Sequence, residues 1–256
     1  MTARHKDKVA VITGAASGIG RAYAVRLASE GALVAIVDRN DADDAIAEVK
    51  AAGGKAAAFK CDISSPDEVK ELGQNVDKEF GRCDILVNNA GLIPSCKFED
   101  LSFEEWRRMM ATNLDAMFLT AKQFIPGMRT RRWGRVINMA SNTFGQVTAG
   151  LTHYIASKAG VIGFTRALAS EVGVDGVTVN AIAPGFTRTP GTLALGSGYR
   201  GMSSEQLFET LAQRQAIPRP PKTTDLVGTL SFLASDDAEF LTAQTLYVDG
   251  GLVRSS

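Results

Sequence analysis

The chain has little with which to hold a metal ion. Its two histidines, His5 and His153, lie far apart, and Cys61, Cys83 and Cys96 lack paired metal-ligand spacing, so no metal site is expected. Three scattered cysteines also form no disulfide framework, which points to a reducing compartment. Neither sign of charge is in excess: 28 Lys and Arg balance 28 Asp and Glu, removing the usual electrostatic reason to expect nucleic-acid binding. No apolar run approaches the roughly twenty residues that span a bilayer. The segment Met1–Lys8 is polar where a signal peptide would be apolar. These absences predict a cytoplasmic protein with no membrane or nucleic-acid partner. Pro-rich linkers, low-complexity tracts and internal repeats are missing too. At 256 residues and 45% hydrophobic content, residues 1–256 suit one α/β domain with a substantial core.

What is present is a series of short apolar runs, at Val9–Ile12, Leu33–Val37, Ala56–Phe59, Ile85–Val87, Val136–Met139, Val177–Ile182 and Thr245–Val248, alternating with helical patterns. Strand and helix in alternation predict a doubly wound parallel sheet of seven strands flanked by helices. Runs this uniformly apolar suit strands buried on both faces. Ser102-Phe103-Glu104-Glu105 has the pattern of a capping box and opens a long helix that contains Asn113.

After the first strand comes Thr13-Gly14-Ala15-Ala16-Ser17-Gly18-Ile19-Gly20, followed by a helical pattern through Ala22, Val25, Leu27 and Ala28. Strand, glycine turn and helix form the context of a Rossmann-type dinucleotide site. Gly14 permits the tight turn, Gly18 and Gly20 let backbone approach a pyrophosphate, and the helix N-terminus offers free N–H groups and positive dipole. The second strand ends in Asp38, about twenty residues on, where a carboxylate can accept from the ribose hydroxyls of NAD and repel the 2′-phosphate of NADP. Arg39 is adjacent and could turn toward a phosphate, but residues 15–17 supply no second cation. NAD is the expected cofactor, with NADP the alternative.

Tyr154 and Lys158, in Tyr154-Ile155-Ala156-Ser157-Lys158, share a helix face one turn apart. A free phenol titrates near pH ~10 and is a poor base at neutrality. An ammonium about 4 Å away contributes roughly 4 kcal/mol at an effective dielectric near 20, enough to lower that value by up to about 3 units. The pair therefore predicts a depressed tyrosine pKa and an acid–base role, with Ser141 upstream to polarise an oxygen. Hydride would pass directly between substrate carbon and nicotinamide.

Taken together, these residues resemble the short-chain dehydrogenases/reductases over essentially the whole chain. The resemblance implies that Ser141, Tyr154, Lys158 and Asn113 form the catalytic set, with the Asn113 main-chain carbonyl in a proton relay to Lys158. Lys158 would also bind the nicotinamide ribose. It implies a cofactor site built from Gly14, Ser17, Gly18, Ile19, Gly20, Asp38 and Arg39, with Asp62 and Ile63 at the adenine. Asn89, Ala90 and Gly91, in Asn88-Asn89-Ala90-Gly91, would border the cofactor, and Pro184, Gly185 and Thr187 would clamp the carboxamide. A homotetramer is implied as well. Within the family the chain is similar to aryl-alcohol members such as the 1-phenylethanol dehydrogenases in Gly81–Val87, Thr152–Ile155 and Val248–Gly251. It also resembles pyridoxal 4-dehydrogenase around Ala140–Phe144.

The substrate, an alcohol or ketone, is expected to meet Asn142, Phe144, His153, Phe186, Leu193 and Tyr199, with Ile93 and Pro94 as further wall positions. A mobile lid is expected over residues 185–218, rich in glycines at 191, 196, 198 and 201 and in the side chains Leu195, Met202, Phe208 and Leu211. These mostly uncharged walls favour an aryl or other hydrophobic secondary alcohol, with Arg188 and Arg200 available to an acidic group. His153 faces away from Tyr154, and a pocket-wall or surface role is expected of it rather than proton transfer. The basic cluster Arg129, Arg131, Arg132 and Arg135 reads either as a solvated helix C-terminus or as a docking patch for an acidic carrier protein. Two alternatives remain open: an NADPH-dependent 3-oxoacyl-carrier or CoA reductase, and a dinucleotide-binding regulator without catalysis.

Overall fold

The computed structural model describes residues 3–195 and 201–254. All seven expected strands form, each within two residues of its apolar run: β1 Val9–Thr13, β2 Leu33–Asp38, β3 Lys55–Lys60, β4 Ile85–Asn88, β5 Gly134–Met139, β6 Val177–Pro184 and β7 Thr245–Val248. They pair in parallel in the order β3-β2-β1-β4-β5-β6-β7. Strand order reverses between β1 and β4. A doubly wound sheet opens a crevice at that switch point, beyond the carboxyl ends of its strands.

Alternate residues of each central strand feed two cores. Ala10, Ile12, Val34 and Ile36 pack with Tyr23, Leu27, Leu226 and Leu230 on one side of the sheet. Val11, Ala35, Val37 and Leu86 pack with Leu72, Val76, Phe124 and Met128 on the other. Burial on both faces holds for β1, β2, β4, β5 and β6 but not at the sheet edges. β3 is largely exposed or half-buried and β7 is half-buried throughout, because an edge strand has a neighbour on one side only.

Helices α1 Gly18–Ser29, α2 Asp43–Ala51 and α3 Pro66–Phe80 connect the first four strands. α3 is delimited locally: the Ser65 side chain accepts from Glu68 N–H, Pro66 occupies the first turn, and Gly81 closes the helix at φ 76°. The Ser102–Glu105 capping box forms as expected and opens α4 Phe103–Met110. The long helix then widens into a π-turn at Ala111–Asp115, centred on Asn113, before continuing as α5 Ala116–Arg131. α6 Thr152–Val172 carries Tyr154 and Lys158, and α7 Pro190–Leu193, α8 Ser204–Ala212 and α9 Val227–Leu233 complete the order. Among the described residues no helix is long and apolar enough to cross a membrane.

The arginine cluster is bonded within the chain. Arg129 pairs with Asp175 at 2.6 Å, and Arg132 donates to the Val174 carbonyl at 2.8 Å. Arg131 pairs with buried Asp84 at 3.5 Å and donates to the Cys83 carbonyl. Arg135 lies not at the helix end but on β5, where it is buried, stacks on Trp133 and donates to the Ser235 carbonyl at 3.0 Å. These guanidinium groups join α5 and β5 to the segments beside them, while Arg129 and Arg132 remain exposed at the C-terminal end of α5.

Candidate active site

The glycine turn closes because each of its glycines is needed for a different reason. Gly14 adopts φ 63°, and a Cβ there would meet the Ala90 backbone at 2.7 Å. Gly18 adopts φ 58° at the first residue of α1. A Cβ on Gly20 would come within 2.2 Å of the Gly14 carbonyl oxygen and 2.6 Å of Asn89 Nδ2. Gly20 therefore holds helix against turn, where the sequence suggested an approach to pyrophosphate. Asn89 secures the same turn, donating through Nδ2 to the carbonyls of Thr13 at 2.9 Å and Gly14 at 3.0 Å. Thr13 Oγ1 accepts from the N–H groups of Asn89 and Ala90.

Asp38 stands where β2 ends. Its Oδ2 accepts from Ala16 N–H at 3.1 Å, and its Oδ1 accepts from the main chain and side chain of Asn40 at 3.0 and 3.1 Å. A cleft of about 270 Å³ runs over Gly14, Ser17, Gly18, Ile19, Asp38, Arg39, Asp62, Ile63, Asn89, Ala90 and Gly91. Arg39 leans toward Asp62 at 4.0 Å, and two hydrogen bonds from Ser64 hold the Asp62 carboxyl below its usual range. The glycine turn, the free end of α1 and the strand-end carboxylate fit the pyrophosphate and adenosine ribose of a dinucleotide.

A second cleft, also about 270 Å³, shares Ile19, Asn89, Gly91 and Thr189 with the first, so the two are continuous. Ser141, Tyr154 and Lys158 line it, as do Asn142, Pro184, Gly185, Phe186 and Thr187. Thr143 Oγ1 donates to Ser141 Oγ at 2.9 Å. Asn113 lies just beneath. Its Oδ1 accepts from Leu92 N–H at 2.8 Å, and its Nδ2 donates to the Leu92 carbonyl at 3.0 Å and to Ser157 Oγ at 3.2 Å. Gly91 leaves room for both neighbours: a Cβ there would lie 3.4 Å from Asn113 Oδ1 and 3.5 Å from Lys158 Nζ.

The electrostatics differ from the sequence expectation. Burial pushes the Tyr154 phenol above its ordinary pKa, and the neighbouring Ser141 hydroxyl offsets part of that rise. Lys158 does not reverse it. Its Nζ is 5.9 Å from the tyrosine ring centre and donates to the Met139 carbonyl at 2.7 Å. Burial lowers the lysine itself to about 8. Desolvation of the phenolate is thus the dominant effect at this tyrosine.

Three expected wall residues stand elsewhere. His153 is buried, but one residue before Tyr154 it turns about 100° around α6, onto the face that carries Ser157 toward Asn113; its Nδ1 has no hydrogen-bond partner. Burial lowers its pKa, and the Glu105 charge opposes that. Phe144 sits in the 3₁₀ turn Asn142–Gly145 and is 56% exposed. Leu193, at the end of α7, points to solvent, while Leu195 lines the cleft. Ile93 is at the wall and Pro94 is not among its lining residues. Tyr199, Gly196, Gly198 and Arg200 lie outside the described residues. Sequence reasoning missed Thr148, on the stretch before α6, and Leu207, Thr210 and Arg214, which reach the cleft only through folding of the segment after β6. Only the helical spacing of Leu207, Leu211 and Arg214 hinted at a shared face.

A doubly wound sheet that brings a glycine turn, a strand-end carboxylate and a Ser-Tyr-Lys group to one continuous crevice belongs to the nicotinamide-dependent oxidoreductases. Residues 14–253 match the family model described as enoyl-(acyl carrier protein) reductase. The 3-oxoacyl-acyl-carrier-protein reductase of Staphylococcus epidermidis is 37% identical over 249 residues, 96% of this chain and 99% of that protein. Among solved structures, a putative gluconate dehydrogenase from Agrobacterium tumefaciens superposes with a TM-score of 0.92 at 30% identity, covering 100% of both chains. The aldohexose dehydrogenase of Thermoplasma acidophilum gives 0.89 at 32% identity over 98% of this chain and 96% of the other. The chain belongs to the short-chain dehydrogenase/reductase family.

Proposed function

We propose that this chain is a 3-oxoacyl-type ketoreductase, interconverting a 3-oxo and a 3-hydroxy group on an acyl thioester. The convergence of Ser141, Tyr154 and Lys158 on one open cleft, continuous with the cleft over the glycine turn, is the observation that carries the carbonyl chemistry, and the named relative in Staphylococcus supports the substrate class. A bound nicotinamide dinucleotide would supply or accept the hydride. Ser141 donates to the carbonyl oxygen, and Tyr154 gives its phenolic proton as that oxygen becomes an alcohol. A pKa raised by burial suits this direction, because it keeps the proton on the phenol near neutrality. Lys158 and Asn113 brace the floor on the side of Gly91. For the cofactor, Asp38 supports NAD over NADP, since the chain's own backbone already holds its carboxylate in the cleft.

A second reading, an NAD-linked dehydrogenase of hydrophobic secondary alcohols, is favoured by Asp38 and by the internal pairing of the arginine cluster, which leaves a carrier protein less to grip. Reduction of acetoacetyl-CoA and oxidation of 1-phenylethanol, each with both cofactors and with Tyr154→Phe as control, separates the readings. Acetoacetyl-CoA turnover lost in the variant supports the first. Turnover of the alcohol alone replaces it with the second. Activity that survives Tyr154→Phe overturns the role given to the tyrosine.

A further inference from the structure

Along α8 and the turn after it, Leu207, Thr210, Leu211 and Arg214 recur at three- and four-residue spacing and line the cleft above Tyr154. Among the described residues only two charged side chains reach that cleft, Lys158 and Arg214. Lys158 is buried at the floor and donates to the Met139 carbonyl. The arginine that the sequence offered to an acidic group, Arg188, is taken: both of its Nη atoms donate to Glu205, and its guanidinium lies 4.7 Å from the Phe208 ring centre. Arg214 makes no ion pair or side-chain hydrogen bond among the described residues, and its main-chain N–H donates to Leu211 at 3.0 Å. It is exposed at the open side, just past the C-terminal end of α8, where the helix dipole favours a cation.

We infer that the substrate carries an oxyanion, a carboxylate or a phosphate, at the end remote from its reacting carbon, and that Arg214 receives it. The inference rests on the ketoreductase reading and narrows its substrate class. A guanidinium presents a planar fork that matches either oxyanion with two parallel N–H···O bonds. The remaining described walls of the cleft are uncharged, so a distal anion has no other counter-charge there, and a neutral substrate has no use for Arg214.

Ketones bind beside oxidised NAD without turning over, so affinity can be read apart from catalysis. Two matched pairs serve as probes: acetophenone against 4-acetylbenzoate, and acetoacetyl-pantetheine against its 4′-phosphate. In titration calorimetry on the NAD complex, the anionic member of at least one pair should bind about tenfold tighter than its neutral partner, the scale of one charge-assisted hydrogen bond. The pair that shows the gap identifies carboxylate or phosphate. Arg214→Gln should abolish the preference, the anionic member losing about tenfold more affinity than its neutral partner, Arg214→Lys should keep part of it, and added salt should weaken it. Equal affinities within both pairs, or a preference that survives Arg214→Gln, overturn the inference. An intact preference without reduction of any ketone by NADH or NADPH would uphold the anion site and overturn the ketoreductase reading instead.

Discussion

Asn142 donates through Nδ2 to Asp249 Oδ2 at 3.1 Å, joining residues 107 positions apart in the chain. Asp249 is buried, and the same carboxylate closes its own turn, accepting from Gly251 N–H at 3.0 Å and Val253 N–H at 2.9 Å. Val253 in turn fills the space beside Gly145, where a Cβ would meet its Cγ1 at 2.5 Å. The segment after β7 thereby fixes the turn that begins at Ser141.

Asp249→Ala should lower thermal stability by about 1–3 kcal/mol, the cost of leaving buried donors unpaired, and reduce turnover through misplacement of Ser141. Asp249→Asn keeps an acceptor oxygen and should recover most of the stability. Melting curves and steady-state rates of the two variants check this; identical behaviour of both would refute the positioning role.

Lys158 carries a pH signature. The unfolded chain holds the lysine proton to about 10.5 and the folded chain only to about 8, so between those values the unfolded state binds more protons and wild-type stability rises with pH. Lys158→Met should melt higher than wild type at pH 7, with the gap closing toward pH 10, while turnover is lost. Melting temperatures across that range test the sign.

Replacing Asp38 with Ser removes the charge that disfavours a 2′-phosphate and frees Ala16 N–H from its carboxylate. The ratio of kcat/KM for NAD over NADP should fall by about tenfold or more. An unchanged ratio would place cofactor selection elsewhere.

The two glycines of the α1 turn should respond differently to Ala. Gly20→Ala drives a methyl into the Gly14 carbonyl and should destabilise the fold by about 2 kcal/mol or more. At Gly18 the nearest atom, Thr189 Cβ, is 3.4 Å away, so the penalty comes from its positive φ and is about 1 kcal/mol. Chemical denaturation of both variants distinguishes packing from backbone strain.

What the sequence determined alone was local. Seven apolar runs became seven parallel strands, and the five inner ones bury both faces because a sheet covered by helices on both sides leaves a continuous apolar run no other place. The glycine turn, the Ser102–Glu105 cap and the one-turn spacing of Tyr154 and Lys158 likewise depend on near neighbours in the chain. The tertiary structure decided whatever depends on a distant partner. The direction of the Tyr154 shift follows from burial, which helical spacing does not reveal. Arg188 is bound by Glu205, and Arg214 meets no counter-charge among the described residues, because distant residues meet or fail to meet. Spacing puts His153 and Ser157 on one face of α6, but only packing, which sets the rotation of a helix, turns that face toward Asn113.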